Sequence, residues 1–161
     1  MLARPIMKSL PHRHLTTLSL DVDLAGIVAI GDTPSGRRIV APVKGGSFAG
    51  ERLSGTVLPG GADWVIRRAD GNSTIDVRLT LRTDDGATLG LTYTGRFLGA
   101  AGSMQRFVAG QPIDASAFSL QTVARVETGD TRYAWLNDAI IIGVGEQTAS
   151  GPAYQLFDVD R

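Results

Sequence analysis

The 161-residue chain contains no cysteine. That absence removes disulfides, thiolate nucleophiles, cysteine-ligated zinc and iron–sulfur clusters together, and it fits a reducing, cytoplasmic compartment. Neither sign of charge is in excess, since 16 Lys+Arg offset 16 Asp+Glu. A nucleic-acid partner needs a basic face, and an anionic membrane needs a polybasic segment, so neither partner is expected. No apolar run approaches the ~20 residues of a membrane-spanning helix. Met1–Leu10 carries two basic residues but lacks the apolar stretch of a signal peptide. The sequon Asn72-Ser73-Thr74 is therefore given little weight. Histidine is scarce too. His12 and His14 are the only two, one residue apart near the start of the chain. A tight metal site usually needs three or more convergent ligands, so no metal is expected.

Familiar catalytic motifs are missing as well. Gly31–Arg38 has the glycine spacing of a phosphate-binding loop, but Arg37-Arg38 stands where Lys-Ser/Thr is required. Residues 45–50 (GGSFAG) are not a dinucleotide fingerprint, and there is no Gly-x-Ser-x-Gly elbow.

What is present is architecture. Hydrophobic residues make up 43%, enough for a core, and 20 glycines separate short Thr/Val/Leu/Ile runs. Residues 1–13 read as a flexible tail and 14–161 as one domain. His14–Asp23 alternates Leu18, Leu20 and Val22 against Thr17, Ser19 and Asp21, the period of a half-buried strand. Arg37–Val43, Ala117–Glu127, Arg132–Asn137, Ala139–Gly145 and Ala153–Val159 read as further strands. Gly102–Gly110 is the one convincing helix, with Ser103 as its cap and Met104, Phe107 and Val108 at helical spacing. About nine or ten short strands, one short helix and many glycine turns predict an all-β fold, a single antiparallel barrel.

The clearest local pattern spans 63–97. Asp70-Gly71 and Asp85-Gly86 each separate strand-like runs, and Asp-Gly is a strong two-residue hairpin signal. Two-residue turns place Asp63 opposite Arg78 and Arg78 opposite Tyr93. Asp63, Arg78 and Tyr93 then form one polar row, with Asp76 a step away. Trp64, Ile66, Ile75, Val77, Leu79 and Leu81 occupy the other face. A one-residue bulge at either turn breaks this row. In a pocket such a row suits proton transfer, with Arg78 holding a carboxylate ionised and Tyr93 donating to an oxyanion. The same pattern also describes a solvated sheet face with cross-strand ion pairs. A second constellation follows Glu127, where Tyr133, Trp135 and Asn137 alternate along the expected strand. They suit a flat organic ligand or, equally, packing at a barrel end.

Several blocks carry a resemblance. Residues 33–37 (TPSGR), 45–50 (GGSFAG), 58–64 (LPGGADW), 76–78 (DVR), 83–86 (TDDG) and 133–137 (YAWLN) are similar to the DUF3237 family, also called UPF0311. The similarity runs from about His14 to Val159. Where the family often has an aromatic-Phe-Arg stretch before Glu-Thr-Gly, this chain has Phe118–Thr122, so substrate is expected to differ if that strand lines the pocket. The resemblance implies a small β-barrel, without known function for most members. Some relatives in natural-product pathways resemble cofactor-free cyclases that close an oxygen ring. Asp63, Trp64, Asp76, Arg78, Tyr133, Trp135 and Asn137 match the family's shared polar and aromatic positions.

The expectation is a cofactor-independent lyase, isomerase or cyclase acting on a small, partly aromatic or polyketide-like molecule. Asp63, Asp76, Arg78 and Tyr93 are the catalytic candidates. Trp64, Arg37, Glu127, Tyr133, Trp135 and Asn137 are the substrate-binding candidates. The alternatives are a non-catalytic, lipocalin-like ligand carrier and a filled structural module. Exposed strand edges and balanced charge make a homodimer a further expectation.

Overall fold

A computed structural model describes residues 9–159, without the side chains of Phe107 and Val108. Most of the expected tail, residues 1–8, thus lies outside the described residues, whereas His12 and Arg13 already belong to the first strand. The ten strands are β1 (His12–Val22), β2 (Val28–Thr33), β3 (Gly36–Ala49), β4 (Gly55–Val57), β5 (Gly61–Arg67), β6 (Ser73–Thr83), β7 (Thr88–Gly99), β8 (Phe118–Glu127), β9 (Ile141–Gln147) and β10 (Pro152–Val159). One short helix, α1 (Ser103–Val108), follows β7.

These strands close on themselves. Each of β6 to β10 pairs with the next, β10 pairs with β1, and β1 pairs with β3. The remaining gap, between β3 and β6, is filled by β4 and β5, which lie end to end and act as one interrupted strand. The result is a closed antiparallel barrel of eight strand places, with β2 as an outer hairpin arm on β3. Closure leaves most backbone donors and acceptors paired, which removes the open edges a flat sheet would expose.

The inner surface follows from alternation. Along β6, Ile75, Val77, Leu79 and Leu81 are buried, while Arg78, Thr80 and Arg82 are exposed. Along β7, Leu89, Leu91, Tyr93 and Phe97 are buried. A bulge in β1 between His14 and Thr16 lets Leu15 and Thr16 both turn inward. Where β3 crosses β1 the backbones run too close for a side chain. A Cβ on Gly46, at φ +146°, would lie 2.1 Å from the Ser19 carbonyl oxygen.

Both hairpins of the central meander use three-residue loops, not two-residue ones. The Arg68 N–H donates to the Asn72 carbonyl (2.8 Å) and the Thr83 N–H to the Ala87 carbonyl (2.9 Å). Gly71 (φ +82°) and Gly86 (φ +92°) take the left-handed position that closes a type I turn with a bulge. The extra residue shifts each register by one. Asp63 therefore opposes Val77, and Val77 opposes Tyr93, so the expected Asp63–Arg78–Tyr93 row does not form. Asp63 and Tyr93 turn into the barrel. Arg78 and the Asp76 side chain turn outward, and Trp64 and Ile66 leave the expected apolar face for the outer one.

The two ends of the barrel differ. At the end carrying the β6–β7 loop, a 3-10 helix at Thr131–Asp138 folds across and plugs the opening with Leu136, which is fully buried. The strand expected at Arg132–Asn137 is this helix. The other end is bordered by the β1–β2 loop, the β9–β10 turn and α1, whose Met104 is buried. No helix among the described residues is long and apolar enough to cross a membrane.

Candidate functional site

A cavity of about 70 Å³ lies inside the barrel toward the α1 end. Strands supply Ile39 and Ala41 (β3), Asp63 and Val65 (β5), Ile75 (β6), Tyr93 (β7) and Tyr154 (β10) to its wall, and Ile27, Met104 and Gly151 come from the connections that border it. All but a few of these groups are aliphatic. Asp63 and the two tyrosines stand out as polar groups that alternation has turned inward.

Their chemistry is set by enclosure. Burial in this apolar wall is the main force on Asp63 and pushes its carboxyl up from 3.8 to about 7. The Asp76 backbone N–H, which donates to Asp63 Oδ1 (3.1 Å), pulls the other way, and the Asp76 charge adds a further upward push. Tyr93 and Tyr154 meet edge to face, their ring centroids 5.3 Å apart. Burial pushes the pKa of both hydroxyls up, and the Asp63 carboxylate pushes them further, so both stay protonated as donors. The Tyr154 hydroxyl is near enough to affect Tyr93, yet the Tyr93 hydroxyl is buried outside hydrogen-bond geometry with any described residue. An unpartnered buried hydroxyl beside a neutral-range carboxyl can serve a ligand oxygen.

The other sequence candidates scatter. Asp76 turns its side chain outward and reaches this site through its backbone N–H and, at longer range, its charge, and Arg78 is exposed on the outer face beside Thr92. Trp64 is half-buried on the outer face, opposite Val40. Glu127 is exposed at the end of β8. Arg37 stands at the mouth of a small hollow adjoining the cavity.

Tyr133, Trp135 and Asn137 sit at the plugged end and do not share a face, because a 3-10 helix turns every three residues. The Tyr133 hydroxyl donates to Asp85 Oδ1 (3.0 Å). Asp85 also accepts from Arg132 (2.9 Å), and the Thr83 hydroxyl with these partners holds its carboxyl below the usual range. Asn137 clamps the Thr128 backbone at both N–H (2.8 Å) and C=O (3.1 Å). Trp135 lies under the Arg52 guanidinium, 5.0 Å from its ring centre. Arg52 in turn forks onto Asp158. This end has its own open depression of about 550 Å³, sharing no residue with the cavity. Among the described residues no cluster of three or more metal-ligating side chains occurs.

Sequence reasoning missed Tyr154 and Met104. The alternation of Ala153–Val159 marks Tyr154 as core-facing, but only barrel closure brings β10 opposite Asp63.

The family model of DUF3237, a protein family of unknown function, matches residues 11–159. The chain belongs to this DUF3237 family. A UPF0311 protein of Rhodopseudomonas palustris (strain TIE-1) is 32% identical over 120 residues, covering 74% of this chain and 78% of the relative. A crystal structure of a conserved protein of unknown function from Rhodopseudomonas palustris superimposes with a TM-score of 0.88 at 27% identity, over 96% of this chain and all of that one. A β-barrel-like protein from Acinetobacter baumannii gives 0.83 at 28% identity, over 99% and 100%. A protein from Penicillium herquei described as an enzyme gives 0.72 at 19% identity, over 99% and 100%, which shows a common fold.

Proposed function

We propose that this DUF3237 barrel is a cofactor-independent acid–base enzyme, a lyase, isomerase or cyclase, for a small, partly apolar carbonyl compound. The observation that carries the reading is the Asp63 carboxyl, held near pH 7 on the wall of a mostly apolar cavity beside two protonated tyrosines. A group that titrates near the working pH can both take and return a proton, and such catalysis is worth about 10²–10⁴-fold. Ionised Asp63 removes a proton from carbon next to the ligand carbonyl. A tyrosine O–H donates a hydrogen bond to the enolate oxygen. Protonated Asp63 then returns the proton at another carbon, which isomerises the ligand. For ring closure ionised Asp63 takes instead the proton of a ligand hydroxyl as its oxygen bonds to the β-carbon of an enone, the tyrosine O–H holds the enolate oxygen that forms, and Asp63 delivers the same proton to the α-carbon. Compared with the sequence expectation, the tyrosines replace Arg78 as the oxyanion partner. The fold supports the reading in one further respect, since the Penicillium herquei protein that shares it is described as an enzyme.

The mostly aliphatic wall favours a second reading, a ligand carrier without chemistry. Hydroxy-enones of polyketide type, incubated with the protein and followed by time-resolved mass spectrometry with chromatography, separate the two. Conversion to an isomer of unchanged mass, or to elimination fragments whose masses sum to it, abolished by Asp63→Asn with ligand affinity retained, is the expected result. A bound ligand returned unchanged supports the carrier. Wild-type turnover by Asp63→Asn overturns the acid–base assignment.

A further inference from the structure

We infer that the molecule bound in this cavity carries a carboxylate, read by a pair of arginines at the cavity's mouth, with its reacting end directed to Asp63. The inference rests on the cavity being a ligand site, as proposed above. Arg37 on β3 and Arg67 on β5 oppose each other directly in register. Alternation puts both on the inner face, two residues beyond Ile39 and Val65. With Ile39, Val65 and Met104 they line a hollow of about 60 Å³, and those three residues also line the main cavity, so the two spaces adjoin.

Like charges directly opposed across a strand pair repel. Some cations elsewhere are matched, Lys44 to Asp21, Arg52 to Asp158, Arg68 to Asp70, and Arg132 to Asp85 and Asp130, whereas Arg78, Arg82, Arg96 and Arg125 stand exposed on the outer face without an ion pair to any described residue. Arg37 and Arg67 make no ion pair or side-chain hydrogen bond with any described residue. Asp32, exposed, is the register neighbour of Arg37 on the β2 side, and it forms no ion pair with it either. Arg37, exposed, and Arg67, half-buried, border the same hollow, and two guanidinium forks are matched in shape by a planar carboxylate.

The cavity also orients such a ligand. Arg67 is four residues from Asp63 on the same strand, a spacing of about 13 Å. Ionised Asp63 repels a second carboxylate, and the arginines attract it, so the acid group is held at the mouth. The apolar body then lies along Ile39, Val65 and Met104, and its far end meets Asp63 and Tyr93. The substrate class is an apolar monocarboxylic acid whose reacting carbonyl is remote from the acid group.

Matched probes test this. Straight-chain acids from hexanoic to dodecanoic, and their primary amides, are titrated into the protein and followed at the Val65 and Met104 amide resonances. Acids are expected to bind about tenfold or more tightly than the matching amides, a gap of about 1.4 kcal/mol or more. The double variant Arg37→Gln/Arg67→Gln is expected to lose that gap while its amide affinity and far-UV circular dichroism stay as in the wild type. Equal binding of acids and amides by the wild type overturns the carboxylate inference and leaves the cavity reading standing. A preference that survives the double substitution also overturns it. Failure of every acid and every amide to shift those resonances overturns the ligand-site reading itself.

Discussion

At the scale of single residues, Asp63 is where stability and function meet. Its carboxyl titrates near 7 in the folded protein against 3.8 ordinarily, so the folded state binds the proton more tightly than the unfolded chain. The sign follows. Below pH ~4 both states hold the proton and the contribution is complete. It declines as pH rises through the window from ~4 to ~7, and above ~7 the folded barrel carries a buried charge. Asp63→Asn keeps the acceptor for the Asp76 N–H and removes the charge. Its stability advantage over the wild type in urea melts is expected to grow from near zero at pH 4 to about 2–4 kcal/mol at pH 8, at about 1.4 kcal/mol per tenfold change in proton affinity. A difference between the two proteins that is flat with pH contradicts a carboxyl held in the neutral range. In the sequence, Asp63 and Tyr93 stand out as polar residues within strand runs. Their shared enclosure was not visible there, because period two tells which residues share a face but not which face turns inward. Arg78 looked equally suitable on that basis.

Among the elements, the loops decide more than the strands. Asp70-Gly71 and Asp85-Gly86 signal hairpins in the sequence, and both hairpins exist. Whether such a turn holds two residues or three depends on how Gly71 and Gly86 seat in the left-handed region against the twist of the barrel. That one extra residue moved Arg78 out of the row and set Val77 between Asp63 and Tyr93. Two strands were not anticipated. β4 has only three residues, and β2 includes Gly31 and Asp32, which read as turn formers. Tyr133, Trp135 and Asn137 looked like strand alternation, yet the 3-10 helix sends them to Asp85, Arg52 and Thr128. Gly46 tests how tightly the elements cross. Gly46→Ala adds a Cβ that would sit 2.1 Å from the Ser19 carbonyl at a backbone angle poor for alanine. A loss of at least about 1–3 kcal/mol in thermal or urea unfolding is expected. A melt unchanged from wild type would show that β1 and β3 separate there at no cost.

For the whole molecule, the barrel divides its labour between ends. One end is plugged by Leu136 and tied down by the Tyr133–Asp85 and Asn137–Thr128 bonds. The other holds the cavity, Met104 and the arginine pair. Leu136→Ala is expected to cost about 2–5 kcal/mol, the usual range for emptying a buried leucine, while ligand affinity in the remote cavity is unchanged at temperatures where the variant is folded. A variant that melts like the wild type but no longer binds ligand would move the functional end to the opposite mouth. The amino-acid sequence by itself determined the all-β class, most of the strands, the short α-helix and the alternation of apolar and polar positions, because these rest on local periodicity and turn chemistry. Only the tertiary structure decided which positions face one another. Loop length set the registers, and closure brought β10 and its Tyr154 around to Asp63, nearly a hundred residues away in the chain, since pairing at that distance depends on the geometry of the completed ring and on no local pattern.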